Sequence, residues 1–145
     1  MSRKSLVFAL FFALAATLAV GRARAGADPL AETLEGVVKQ QIEAFNAKNL
    51  TGAMATINTQ SPEYKSTEDE LATEFKTENL TATLVSFQYV GHDDEFAVAR
   101  VKMKITAPSG EKFVDNSIDT MMLFHQQNGA WRIWGDYLIG AQTLE

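Results

Sequence analysis

Four consecutive residues, His92-Asp93-Asp94-Glu95, are of types that ligate metal ions. A metal site needs ligands that converge on one point. Successive residues of a strand-to-strand turn point in different directions, so the run reads as a polar turn and no metal is assigned. Asp115 and Asp119 resemble the paired carboxylates of general acid–base sites. Four residues apart on one strand, they lie roughly 13 Å from each other, too far to share a proton. With Arg100 and Lys102 nearby, they read as ion-pair partners on a sheet face. His125 is the other histidine, and catalysis there would need a carboxylate or substrate within hydrogen-bond reach. An acidic stretch, Glu68, Asp69, Glu70, Glu74 and Glu78, reads as the solvated side of a helix whose first acids favour the helix dipole. No catalytic residue and no cofactor is assigned.

The elements that would position these groups follow from periodicity. Asn128-Gly129 lies between two apolar alternating runs, and Asn-Gly accepts the positive φ angles of a type I′ turn. Gln127 then pairs with Ala130, Phe124 with Ile133, Leu123 with Trp134 and His125 with Arg132. Upstream, Asp28-Pro29 opens a helix. Leu30, Leu34, Val37, Val38, Ile42 and Phe45 repeat at helical spacing along it. Asn49-Leu50-Thr51 recaps the chain into a short second helix. Thr67 and Glu70 have capping-box spacing for a third, packed through Leu71 and Phe75. From Leu80 the period becomes two. Three helices followed by four antiparallel strands predict an α+β fold, with the helices on one face of the sheet.

Pairing Thr106 with Glu111 sets Lys102 opposite Asp115 and Ala99 opposite Ile118. Val85, Phe87, Tyr89, Ala97, Ala99 and Val101 then face the helices, and Leu84, Arg100, Lys102 and His125 face away. A slip of one residue would exchange the two sets. Among the inner residues, Tyr89, Asn116 and Thr120 are polar on an apolar surface. With Met122 they form the candidate ligand pocket, since a few polar groups in an apolar cleft is the generic binding arrangement; alternatively, they satisfy one another or the backbone. Met121, Leu123 and Trp134 form an apolar patch on the outer face, the candidate dimer surface.

Residues 1–25 carry a basic start at Arg3-Lys4, an apolar run from Leu6 to Val20 and the small-x-small sequence Ala23-Arg24-Ala25. This is the pattern of a secretory signal peptide cleaved after Ala25. The protein is therefore expected to be exported, periplasmic or secreted, with no membrane attachment after cleavage. There is no cysteine. Without Arg3, Lys4, Arg22 and Arg24, nine basic residues remain against 18 acidic ones, a net charge of −9. Such a chain, without a basic patch, is not a nucleic-acid binder.

An N-terminal helix carrying IEAFNAKNLTGAM, a third helix, and a sheet ending in F-x-x-x-x-G-x-W-R-I together resemble the nuclear transport factor two-like (NTF2-like) superfamily. Ketosteroid isomerases and SnoaL-like polyketide cyclases belong to it. The resemblance rests on Phe45, Asn46, Ala47, Leu50 and Met54 early and on Phe124, Gly129, Trp131, Arg132 and Ile133 late. It implies a single cone-like domain over residues 26–145, with helices on a curved four-stranded sheet. It also implies a homodimer through the outer sheet face. In the isomerases an aspartate base lies near the segment between the second and third helices. Here that segment offers Glu63 and Tyr64, read as an exposed pair, and no matching aspartate. The expected function is a non-catalytic exported homodimer that binds a small apolar molecule or assists another protein. The alternative is a small acid–base enzyme of the isomerase or cyclase type.

Overall fold

A computed structural model describes residues 28–110 and 112–144. The signal segment expected over residues 1–25 and the partner expected for Thr106, Glu111, lie outside the described residues. Helix α1 spans Pro29–Asn46 and is capped by Asp28, whose Oδ1 accepts from the Leu30 amide at 2.9 Å. Its apolar stripe buries Leu34 and Val38 completely, and Phe45 meets Phe75 edge-on at 5.5 Å. Helix α2 spans Leu50–Ala55, with Asn49 Oδ1 accepting from the Gly52 amide at 3.0 Å. A Cβ at position 52 would lie 2.6 Å from Asn49 Nδ2, so this cap closes only over glycine.

Helix α3 spans Tyr64–Thr77 and starts one turn before the expected Thr67 cap. The sequence signal that wins is Ser61-Pro62. The Ser61 carbonyl accepts from the Tyr64 amide and Ser61 Oγ from the Glu63 amide, which starts the helix at once.

Strands β1 (Thr81–His92), β2 (Phe96–Thr106), β3 (Asn116–Gln127) and β4 (Ala130–Thr143) form an antiparallel meander in the order β1-β2-β3-β4. Asn128 at φ 53° and Gly129 at φ 78° make the last turn, and Gln127 opposes Ala130 as the Asn-Gly signal requires. Three pairings differ from the expected registers. First, Lys102 opposes Asp119 and Ala99 opposes Met122, a slip of four residues. Residues 107–115 form a loop, closed where Asp115 Oδ1 accepts from the Ala107 amide at 2.9 Å. Because four is even, every side chain of β3 keeps its face.

Second, a bulge between Leu84 and Ser86 sets Leu84 opposite Met103. Leu84 therefore turns to the core and Val85 is left 47% exposed, the reverse of the expected assignment. Third, Leu123 pairs with Gly135 rather than Trp134, because Trp134 is the extra residue of a second bulge. Bulges bend a strand and raise its twist, so the same insertions that shift the register also curve the sheet around α1.

The core gathers Leu34 and Val38 from α1 with Ala97, Ala99, Val101 and Phe124 from the sheet, all almost fully buried. The free edge of β4 is covered at its start by residues 56–61. There the Ile133 amide donates to the Thr56 carbonyl and the Asn58 amide to the Ile133 carbonyl, both at 2.8 Å. At the opposite edge, Asn46 clamps α1 to β1: Nδ2 donates to the Ala82 carbonyl at 2.9 Å and Oδ1 accepts from the Ala82 amide at 2.8 Å. Leaving the two backbone groups of buried Ala82 without these partners costs about 1–3 kcal/mol for each. Asn46→Ala is therefore expected to lower the free energy of unfolding by an amount of that order, read as a lower urea midpoint with an unchanged slope, and an unaltered midpoint would contradict the clamp.

Candidate functional site

A cavity of about 420 Å3 lies between the helices and the inner sheet face. Its apolar wall comes from Val38, Ile42 and Phe45 of α1, from Leu80 and Ala82, and from Met103, Ile105, Ile118, Met122 and Ile133 of the sheet. The cavity exists because the sheet curls. At Ala97 and Ala99 small side chains lie fully buried in the core, whereas the far ends of β2 and β3 contribute larger residues that line open space.

Polar groups enter from two directions. Glu63, Thr67 and Glu74 come from α3 and its cap, and Asp136 comes from β4, where it opposes Met122 on the inner face. The α3 segment approaches β4 closely, since a Cβ added at Gly135 would lie 3.1 Å from Glu63 Oε2. Asn116 lines the opposite end, and its buried Oδ1 has no hydrogen-bond donor among the described residues.

Of the four residues expected to form a pocket, Asn116 and Met122 line this cavity. Tyr89 and Thr120 do not. Tyr89 opposes Ala99, and its hydroxyl meets His92 Nδ1. Thr120 is buried, with Oγ1 3.4 Å from the Val101 carbonyl, so a backbone group takes its hydroxyl. Glu63, read from sequence as exposed, is half-buried at the cavity wall. The acids of the wall had a sequence signal: Glu63, Thr67, Glu70 and Glu74 recur at i, i+4, i+7 and i+11, which is one face of a helix. Asp136, inside the apolar run WGDYLI, was the other.

The remaining polar candidates are occupied locally. Asp93 Oδ1 accepts from the Glu95 and Phe96 amides at 2.8 and 2.7 Å, and these bonds hold its carboxyl below the usual carboxylate range. Among the described residues no three His, Asp or Glu side chains come together in a metal-binding arrangement. Asp119, not Asp115, is the ion-pair partner. Its two oxygens take Arg100 Nε at 2.9 Å and Nη2 at 2.6 Å, and the guanidinium keeps its carboxyl low.

On the outer face, Met121, Leu123 and Trp134 are half-buried. Trp134 meets the rings of His125 at 4.9 Å and Phe96 at 5.8 Å, Leu123 lies opposite Val98, and Tyr137 lies opposite Met121. The bulge at Trp134 thus leaves its ring on the outer side with its aromatic neighbours.

Burial raises the carboxyls of both Asp136 and Glu74, helped by negative neighbours: Glu70 beside Asp136, and Glu78 and Glu70 beside Glu74. Much of the Asp136 surface stays accessible. Protein crowds the group while the cavity keeps it open, so solvent tempers the effect. Among the described residues neither acid is in an ion pair.

Residues 36–144 match the family model described as the C-terminal domain of the anti-sigma-I factor RsgI9. No curated protein matches the sequence. Solved structures share the fold. One is a protein of Novosphingobium aromaticivorans provisionally named an aromatic ring hydroxylase, with TM-score 0.64, 7% identity, and 79% of this chain and 92% of that chain covered. Another is an NTF2-like protein of unknown function from Pseudomonas putida, with TM-score 0.63, 9% identity, and 75% and 84% covered. A third, from Nostoc punctiforme, has a cystatin-like fold and unknown function, with TM-score 0.61, 8% identity, and 74% and 87% covered. At these identities the likeness concerns the fold, which is the NTF2-like cone.

The raised carboxyl of Asp136 has a consequence for stability. Between the ordinary aspartate value of ~3.9 and the raised folded value, the native state binds more protons than the unfolded chain. Stability therefore falls as pH rises through that window. Asp136→Asn is expected to raise the denaturant midpoint at pH 7, with the gain vanishing below the ordinary carboxylate range. A variant less stable than the parent at pH 7 would contradict this reading.

Proposed function

This chain belongs to the family of the C-terminal domain of anti-sigma-I factor RsgI9, and from that membership and its cavity we propose that it is a non-catalytic, exported binding domain. In this reading its cone takes a small apolar ligand, and it acts as a homodimer or assists another protein. The observation that carries the reading is the cavity of about 420 Å3, whose wall is predominantly aliphatic and aromatic. That volume falls within the ordinary range for small-molecule sites. The family name attaches such a domain to a regulator of transcription, a setting in which ligand binding would serve as an input.

A second reading, acid–base chemistry, is favoured by one observation: Asp136 carries a carboxyl raised by burial beside the apolar wall. An enzyme of this kind also needs a partner to stabilise developing charge. Among the described residues no hydrogen bond joins Asp136 to a tyrosine or to a second acid, so binding remains the reading we adopt.

Two experiments test the proposal. Nile red, a neutral apolar dye, should bind the parent saturably with enhanced fluorescence. Ile118→Trp, which puts an indole into the cavity, should abolish the enhancement while keeping the parental circular dichroism. Equal enhancement by both proteins would overturn the cavity as the binding site. The dimer reading rests on Met121, Leu123 and Trp134, flanked by exposed Tyr137. Burying a large apolar side chain gives ~1.5–3 kcal/mol, and a two-fold axis would let each patch cover its copy. Sedimentation velocity should show a parental dimer and a monomeric Trp134→Glu, with secondary structure retained in both. A parent that stays monomeric at high micromolar concentration would refute it.

A further inference from the structure

The cavity wall has a charge of one sign. Among the described residues lining it, Glu63, Glu74 and Asp136 are the ionisable groups, and there is no lysine, arginine or histidine. These acids are not scattered. Glu63 and Glu74 stand on the same face of α3 as Thr67 and Glu70, while Asp136 projects from β4 on the inner face. Glu63 Oε2 lies 3.1 Å from where a Cβ at Gly135, the neighbour of Asp136, would stand, and Glu70 is a charged neighbour of both Asp136 and Glu74. Apart from these acids the wall is apolar except at Gln41, Ser61, Thr67 and Asn116.

The wall offers acceptors of full charge but only neutral donors, such as Gln41 and Thr67. Carboxylates only accept, and Asn116 Oδ1 is a buried acceptor without a donor. Ser61 Oγ is already engaged, donating to the Trp134 carbonyl at 2.5 Å. An anionic ligand would meet repulsion and find no cationic partner. A fully apolar one would leave carboxylates desolvated, which is costly. The complementary molecule is apolar over most of its surface and ends in a charged donor.

Resting on the reading of the cavity as a ligand site, we propose that its ligand is an amphipathic cation. The apolar body lies against Ile42, Phe45, Ile118 and Met122, and a protonated amine ends among Glu63, Glu74 and Asp136. Hydrogen bonds to a charged group are worth about 1.5–3 kcal/mol, which corresponds to a preference of roughly ten- to a hundredfold over a neutral isostere.

Three probes with one apolar cage separate this proposal from the reading beneath it: 1-aminoadamantane, 1-adamantanol and adamantane-1-carboxylate. Isothermal titration with each at pH 7 should give the amine at least about tenfold tighter than the alcohol, and the carboxylate weakest. In the double variant Glu63→Gln, Asp136→Asn the amine should lose that advantage, while the alcohol binds as to the parent. Circular dichroism of the variant checks that it is folded. Equal affinities of amine and alcohol for the parent would overturn the cation preference and leave the cavity reading standing. An amine advantage that survives the double variant would place the charge elsewhere and overturn the proposal too. No binding by any of the three would overturn both.

Discussion

The structure depends on one apolar core that helix α1 shares with the inner face of the sheet. At Ala97 and Ala99 the sheet presents only methyl groups on its inner side, and these are fully buried in one core with Leu34, Val38 and Phe124. Elsewhere the strands carry Met103, Ile105 and Ile118, and the bulges at Val85 and Trp134 bend the sheet. Small buried side chains at one end of the inner face and larger ones around open space at the other give the layer an uneven filling. The cavity is therefore a consequence of where small residues and extra residues fall along the strands. Fixing both ends are side chains that bond backbone across elements: Asn46 to β1, and Ser61 to the Trp134 carbonyl of β4.

Much of this was legible before any coordinates. The Asn128-Gly129 turn fixed the last hairpin as far as Ile133, and the α1 stripe, the Asn49 cap and the helices-then-strands order gave the architecture. What failed did so for identifiable reasons. Alternation cannot reveal a bulge, because Val85 and Trp134 are good strand residues whether paired or extra. The β2–β3 register rested on a short turn at Pro108-Ser109-Gly110, whereas Asp115 closes a longer loop through the Ala107 amide. Since the slip was even, inner residues stayed inner. Asn116 and Met122 thus reached the cavity wall despite a wrong pairing.

The site was less legible than the fold. Tyr89 and Thr120 are on the inner face as expected, but a face is larger than the cavity above it, and their hydroxyls are taken by His92 and a backbone carbonyl. Glu74 was passed over because an acidic helix is ordinarily a solvated one, and Glu63 because it was read as exposed beside Tyr64; Asp136 stood inside an apolar strand run and was not singled out. What distinguishes Glu74 from Glu78 is the turn of the helix and the opposing strand, and only the assembled fold supplies the second.

The strap of residues 56–61 covers the border of β4 only as far as Trp134. Beyond it, Tyr137, Leu138 and Ile139 are more than half exposed on the last strand. Such a border is a template on which another polypeptide could add itself as a further strand, the first step towards fibrous aggregates. Here the pairing with β3 skips Ile139, which stands as an extra residue between Leu138 and Gly140. A kink of this kind interrupts the regular ladder an incoming strand would need. The irregularity that shapes the inner wall at Trp134 thus has a counterpart four residues from Gly135 that keeps an apolar margin from serving as a seed.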